Sequence, residues 1–407
     1  MPQHRAQRHT LLSLGVAFAA ANLAVGVLYP LVPVLLTGRG GLAEREYGLF
    51  FAIASIVGGV AFPVWGLIAD GRLGRPRALA VALGAGGALG ALALAGPGFL
   101  VPLAILAFYA AESGIAPVLD ALALDVLHGR TSRYGRLRSA GSGGYAIAAI
   151  GATPLIALAG IETLAVVVGV LALVGVVIAL RLRVSRVEPG TRPHLRDLVG
   201  LPRRAPAYGR LLLVVAAGSL PLASMLAWFA PLLRERGFEP GLAAAAAGLT
   251  ALVEIPVLLL AGRIGERWGW RAPLVWGAAL YTVPVGILAM PLDLPMPFLV
   301  ALRASTGVAF GLFMTGAVVM VRELVPPRLV ATGQGVLQLV IFGVSPAIAG
   351  ILGGLLWPLI GSATLGLFAV GGAAAAVVAR LSLPAGHQIH HDRGDRGVEP
   401  AVFEPAA

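Results

Sequence analysis

The 407-residue sequence contains no cysteine and no lysine, and only 12% of its residues are charged. Without cysteine there are no disulfides and no thiolate metal centres. The shortage of charge excludes more. A water-soluble domain carries about 25% charged residues, so this chain cannot cover a globular surface with polar groups. Hydrophobic residues make up 58% of it. Apolar runs of about 20 residues recur from end to end, each long enough for a hydrocarbon core about 30 Å thick. The alternating ten-residue segments of a β-barrel are missing. The sequence therefore reads as an all-α, multi-pass membrane protein with the lipid bilayer as solvent. The first run, from Leu11, is longer than a signal-peptide core and lacks a small-residue cleavage site, which marks it as a retained helix.

The apolar runs predict twelve transmembrane helices in two six-helix halves. The first six spans cover 11–37, 46–69, 77–95, 98–127, 136–159 and 163–183. The second six cover 208–233, 242–262, 272–290, 296–321, 330–357 and 359–382. This gives an N-terminal six-helix bundle over 1–183, a linker over 184–207, a C-terminal bundle over 208–383 and a tail over 384–407. The linker, "VSRVEPGTRPHLRDLVGLPRRAPA", is the one long polar break, and the polar tail is expected to be disordered.

Arginine sets the orientation. Of the 30 arginines, Arg39, Arg45, Arg234 and Arg236 lie on one side of the predicted spans, Arg303 lies within one, and 25 including Arg138 lie on the other. The rich side is cytoplasmic, so both termini are expected inside a bacterial inner (plasma) membrane. The basic balance is thereby explained without nucleic acid as a partner.

The halves repeat. "GLIADGRLGRPR" follows span 2 and "GRIGERWGWR" follows span 8, each placing a glycine four residues before an acid, Asp70 or Glu266. Six-helix repeats are a transporter trait. The first loop resembles the signature of the major facilitator superfamily between its helices 2 and 3. That resemblance covers residues 10–382 and implies a monomeric twelve-helix carrier. It also implies that Gly66, Asp70, Arg72, Gly74 and Arg75 form a cytoplasmic latch between the halves.

Ionisable groups inside spans are costly, and they face cavities and partners. Here they are Glu112, Asp120, Arg138, Glu254 and Arg303, with Asp125 near an interface. Asp120 and Arg138 sit on neighbouring antiparallel helices and can pair, either as a substrate site or as a structural bridge. Tyr145 falls seven residues past Arg138, within roughly 20° of the same helix face. An arginine fork beside an aromatic face suits a ring bearing hydroxyls.

The stretch also resembles one branch of the superfamily, that of the lactose permease and phenylpropionate permease-like, oligosaccharide:proton symporter-like carriers. Pro117, Asp120, Tyr134-Gly135, Arg138, Gly141-Ser142 and Gly144-Tyr145 carry the likeness, with Pro30, Pro33 and Pro63 upstream. It implies that Asp120 and Arg138 bind substrate, that Tyr145 stacks on it and that Glu254 joins them. The sequence departs from the lactose carrier at Asp120, one methylene short of the expected Glu, and at Tyr145, which replaces a Trp. In "LRAST" (302–306), Arg303 and Thr306 stand where a His and a proton-bearing Glu are expected. Galactoside specificity is thus unsupported. Glu254, just before Pro256, is the expected proton carrier, with Arg303 as its switching counter-ion. Glu112 either extends the proton path or binds a cationic group.

The expected function is secondary active transport of a small polar or aromatic organic solute (a sugar, nucleoside or aromatic acid) by alternating access, coupled to proton symport. A proton-coupled drug antiporter is the alternative. It is disfavoured because span 4 holds acids rather than arginine. No motif for an intramembrane enzyme is present, and no cofactor or metal is expected. His387, His390 and His391 cluster in the tail, where a solvated segment explains them.

Overall fold

The computed structural model of the chain describes residues 2–70, 73–119, 122, 134–182, 205–239, 241–325 and 330–384. The expected tail over 384–407 and linker over 184–207 lie almost wholly outside them. Eleven apolar helical stretches are long enough to cross a membrane. The last of these, Gly333–Ser382, turns back at Gly361–Ala363, which makes twelve helices among the described residues. In hydrocarbon every backbone group must be satisfied within the chain, and a helix does this segment by segment.

In chain order, α1 (Pro2–Leu28) continues through a 3₁₀ turn at Tyr29–Leu31 and a π-helical turn at Leu35–Arg39. Next come α2 (Glu44–Asp70), α3 (Arg75–Ala95), α4 (Val101–Glu112), α5 (Tyr134–Ala159) and α6 (Thr163–Arg181). The second set begins with α7, in two pieces at Pro206–Gly218 and Leu220–Glu235. It continues with α8 (Leu242–Trp268), α9 (Arg271–Ala289) and α10 (Met296–Leu324). It closes with α11 (Val330–Leu339, a π-turn over Val340–Val344, then Ser345–Ile360) and α12 (Thr364–Ser382).

The internal repeat is visible in the backbone. Among the described residues six glycines have positive φ, and they fall into three pairs at matching loops: Gly41 with Gly237, Gly74 with Gly269, and Gly160 with Gly361. Arg39, at the end of α1, donates to the carbonyls of Leu94 and Gly96 at the C-terminus of α3. Arg236, at the end of α7, donates to those of Leu292 and Met290 beyond α9. In both places the guanidinium caps carbonyls that a helix C-terminus leaves open.

Small residues let the helices approach closely. A Cβ on Gly48 of α2 would strike the backbone of Gly350 and Gly354 in α11. One on Gly144 of α5 would strike Ala19 in α1, and one on Gly307 of α10 would strike Thr250 in α8.

The buried core has an asymmetric shape. At the end that carries Gly41, Gly160, Gly237 and Gly361 (the distal end), one continuous cluster joins both sets of helices. It runs from Val27, Leu36, Tyr47 and Phe108 to Trp228, Leu233, Trp357 and Phe368. Toward the end where the linker attaches, the apolar packing divides. One cluster contains only early residues, such as Leu14, Phe18, Leu79 and Leu119. The other contains only late ones, such as Tyr208, Leu274, Phe313 and Val321. The described residues thus share a core at the distal end and form two separate cores at the linker end.

Candidate functional site

Irregular backbone collects at mid-depth. Pro30 and Pro33 lack the N–H that a continuous α-helix would use, and α1 tightens into its 3₁₀ turn there. Helix α4 breaks at Ser113–Gly114, where Ser113 Oγ turns back to the Tyr109 carbonyl at 2.7 Å. The Ala110 carbonyl beside this break accepts from the Trp65 indole at 2.8 Å. The two breaks meet. Tyr29 Oη donates to Glu112 Oε2 at 2.8 Å, and the Tyr29 ring packs on Phe108 and Tyr109 with centroids 5.8 and 5.3 Å away. Among the late helices, the break of α7 at Ser219 lies near the π-turn of α11. Ser345 Oγ donates to the Ala216 carbonyl at 2.9 Å.

A narrow cavity, with room for about one water-sized molecule, lies beside the break of α1. Its walls are mostly apolar, with Pro30 and Pro33 from α1, Met225 and Phe229 from α7, and Ala243 and Ala247 from α8. Two polar side chains line it, Tyr145 of α5 and Arg303 of α10.

Arg303 is only 4% exposed. Its Nη1 donates to Thr250 Oγ1 at 3.0 Å and to Thr306 Oγ1 at 2.8 Å, and its Cζ stands 5.9 Å from the centre of the Phe229 ring. Thr306 Oγ1 in turn donates to the Arg303 carbonyl, and Thr250 Oγ1 approaches that carbonyl at 3.1 Å. Glu254 lies four residues after Thr250 on α8, its backbone against Gly307 and Gly311 of α10. Tyr145 of α5 and Arg303 of α10 line the same cavity, and Glu254 lies on α8 where it packs against α10.

Of the residues expected from sequence, Tyr145, Glu254 and Arg303 come together here. Glu112 stands at the α1–α4 junction, where it accepts from Tyr29. Helix α5 runs unbroken through Arg138 and Tyr145. The Arg138 side chain lies outside the described residues, as does all of Asp120. In the expected latch, Gly74 has φ 77° and starts α3, Gly66 lies in the last turns of α2, and Arg75 opens α3. The Asp70 side chain and all of Arg72 lie outside the described residues.

Tyr29, Phe229, Thr250 and Tyr281 were not singled out from sequence. Only Tyr29 carries a usable signal there, because it directly precedes the Pro30-x-x-Pro33 break.

The family described as MFS_1 like matches residues 16–368. The chain belongs to that family. The maltose permease of Geobacillus stearothermophilus is 28% identical over 336 residues, which are 82% of this chain and 84% of the permease. Among solved structures, a variant of the nucleoside transporter NupG is similar with a TM-score of 0.75 at 16% identity, covering 92% of this chain and 100% of that one. The human organic anion transporter MFSD10 (TETRAN) is similar with a TM-score of 0.68 at 16% identity, covering 92% and 99%. At such identities the structural likeness establishes the fold, a twelve-helix major facilitator fold. The MFS_1 like chain is a multi-pass secondary transporter of that type, and its relatives are transporters rather than enzymes.

Proposed function

We propose that this MFS_1 like protein carries a small polar or aromatic organic solute (sugar-like, nucleoside or aromatic acid) across a bacterial inner membrane, by alternating access and in symport with protons. It works as a monomer, through an N-terminal bundle over 1–183 and a C-terminal bundle over 208–383, joined by a cytoplasmic linker. The observation that carries the reading is the core itself, continuous at the distal end and divided at the linker end. With the arginine-rich linker end in the cytoplasm, this is a carrier closed outward and parted inward. The maltose permease relative and the nucleoside-transporter fold support an organic solute.

Glu254 carries the proton, and Arg303 on the facing helix makes its release conditional on conformation. Asp120, Arg138 and Tyr145 hold the solute from the N-terminal half, and the latch of Gly66, Asp70, Arg72, Gly74 and Arg75 ties the halves together when the cytoplasmic side closes.

The test is external pH in lightly buffered, de-energised vesicles while maltose, uridine and phenylacetate are added in turn. Alkalinisation with one solute is the expected result. Acidification would instead indicate the proton-coupled drug antiporter, and labelled solute entering without a pH change would remove proton coupling.

A further inference from the structure

The loop between α8 and α9 repeats the loop between α2 and α3, and Gly269 takes the same left-handed turn as Gly74, with φ of 78° and 77°. Its side chains differ. Trp268 directly precedes Gly269, and Trp276 follows it by seven residues. The matching positions around Gly74 hold Leu73 and Val81, so the backbone of this turn does not call for tryptophan. Trp270, on the other side of Gly269, turns inward. A Cβ on Gly265 would strike its ring, which packs against the core of the later helices. Trp268 and Trp276 turn outward, 51% and 40% exposed, and their rings meet with centroids 5.4 Å apart. The Arg267 guanidinium stands 4.9 Å from the centre of the Trp268 ring. Arg263, one helical turn earlier and also exposed, stands where the first copy has the aliphatic Ile68. Residues 262–271 carry three arginines against one acid, Glu266. From this basic edge an apolar face runs along the bundle. Leu260 continues the line of Arg263 and Arg267 on α8, while Trp276, Leu280 and Val283 share one side of α9, and all of them are exposed.

From this arrangement we infer that the surface docks an anionic phospholipid, with its phosphate on Arg263 and Arg267 and its acyl chains along Leu260, Leu280 and Val283. The chemistry fits at each level. The linker end is the arginine-rich end of the bundle, which faces the anionic cytoplasmic leaflet. Indole rings settle at headgroup depth, because they combine an apolar body with a polar N–H. A guanidinium over an indole offers its forked N–H donors to phosphate oxygens while the ring supports its face. A soluble anion would use the arginines alone and leave the two tryptophans and the aliphatic face unexplained. The inference goes beyond the transport reading and does not depend on which solute is carried.

The test is quenching of tryptophan fluorescence in nanodiscs that hold the full-length protein. Phosphatidylglycerol or phosphatidylcholine, brominated near the top of the acyl chain, is a minor component in plain phosphatidylcholine. The emission lost when Trp268→Phe is combined with Trp276→Phe assigns the signal of this surface. Brominated phosphatidylglycerol should quench that emission at a mole fraction at least about tenfold lower than brominated phosphatidylcholine needs. Arg267→Gln should cut the preference roughly fivefold, and Arg263→Gln added to it should abolish what is left. Arg210→Gln, at the exposed start of α7 on the same end of the bundle, should leave the preference unchanged. Equal quenching by the two lipids in the unaltered protein would overturn the inference even if the variants fail to fold. So would an equal loss of preference in Arg210→Gln, which would mean diffuse surface charge and no site. Excess glycerol 3-phosphate should leave the quenching in place, and full relief would mean a soluble phosphate site instead. Absence of quenching by either lipid would mean that protein covers the surface, a second copy or the chain's own tail, and would overturn the inference too.

Discussion

The Tyr29 hydroxyl donates to Glu112 at 2.8 Å, and this one bond joins the break in α1 to the break in α4. Both breaks have local causes. Two prolines interrupt α1, and Ser113 with Gly114 interrupts α4. Trp65 takes the Ala110 carbonyl beside the second break. The junction is thus held by side chains that replace the bonds a straight helix would make, as irregular backbone at membrane depth requires.

Tyr29→Phe should therefore destabilise the protein by about 1–3 kcal/mol, because it leaves a half-buried carboxyl without its donor. Glu112→Gln keeps an acceptor for the same hydroxyl and should melt close to the unaltered protein. Thermal melting of the two variants in detergent separates them. Equal melting of Tyr29→Phe and the unaltered protein would mean that the bond carries no stability.

Much of this architecture was legible from residue order. Length and apolarity gave twelve helices, because spanning a bilayer leaves few alternatives. The repeat was visible in the loops, where glycine and arginine recur for reasons of backbone geometry. Tyr145, Glu254 and Arg303 were marked by polarity in apolar surroundings, and they do share a neighbourhood. Their partners were less visible. Arg303 also donates to Thr250 and Thr306, which the charge pattern does not point to. Threonine is common within spans and carries no charge to draw notice. The breaks at Ser113 and Ser219 were missed because serine and glycine do not lower the apolar average of a long run.

Glu254→Gln separates exchange from accumulation. A carboxamide has nearly the shape of the carboxyl and cannot release a proton, so solute exchange at equilibrium should persist. Accumulation driven by a pH gradient should fall to the level set by solute concentration alone. Counterflow and pH-driven uptake, run in the same proteoliposomes, check this. A variant that still accumulates solute would move the proton elsewhere, with Glu112 the next candidate.

Gly307→Leu targets the seam that positions Arg303. Any Cβ on Gly307 meets the Thr250 carbonyl and the Glu254 backbone, so α8 and α10 must separate. Overpacking of this kind costs about 1–3 kcal/mol, and here it would also stretch the bond from Arg303 to Thr250. Expression and melting temperature should drop, and solute affinity should fall even in the fraction that folds. Gly335, where a Cβ meets nothing within 4 Å, should accept Ala without loss and serves as the control.

The distal closure rests on a few bonds between early and late helices. Tyr47 Oη donates to the Ala227 carbonyl at 2.7 Å, and Arg234 Nη2 donates to Thr37 Oγ1 at 2.7 Å. The Tyr47 ring also meets the Trp228 ring edge-on, with centroids 5.4 Å apart. Alternating access requires these contacts to break together. Removing one hydrogen bond worth about 1 kcal/mol should raise the outward-open population roughly fivefold. The chain has no cysteine, so a single Ala247→Cys in the cavity wall can be labelled without background. A membrane-impermeant maleimide added from the distal side should react slowly with that variant, and several times faster once Tyr47→Phe is added. Reagent from the linker side should react more slowly in the double variant. Unchanged rates from both sides would mean that Tyr47 is packing within one half rather than part of the closure.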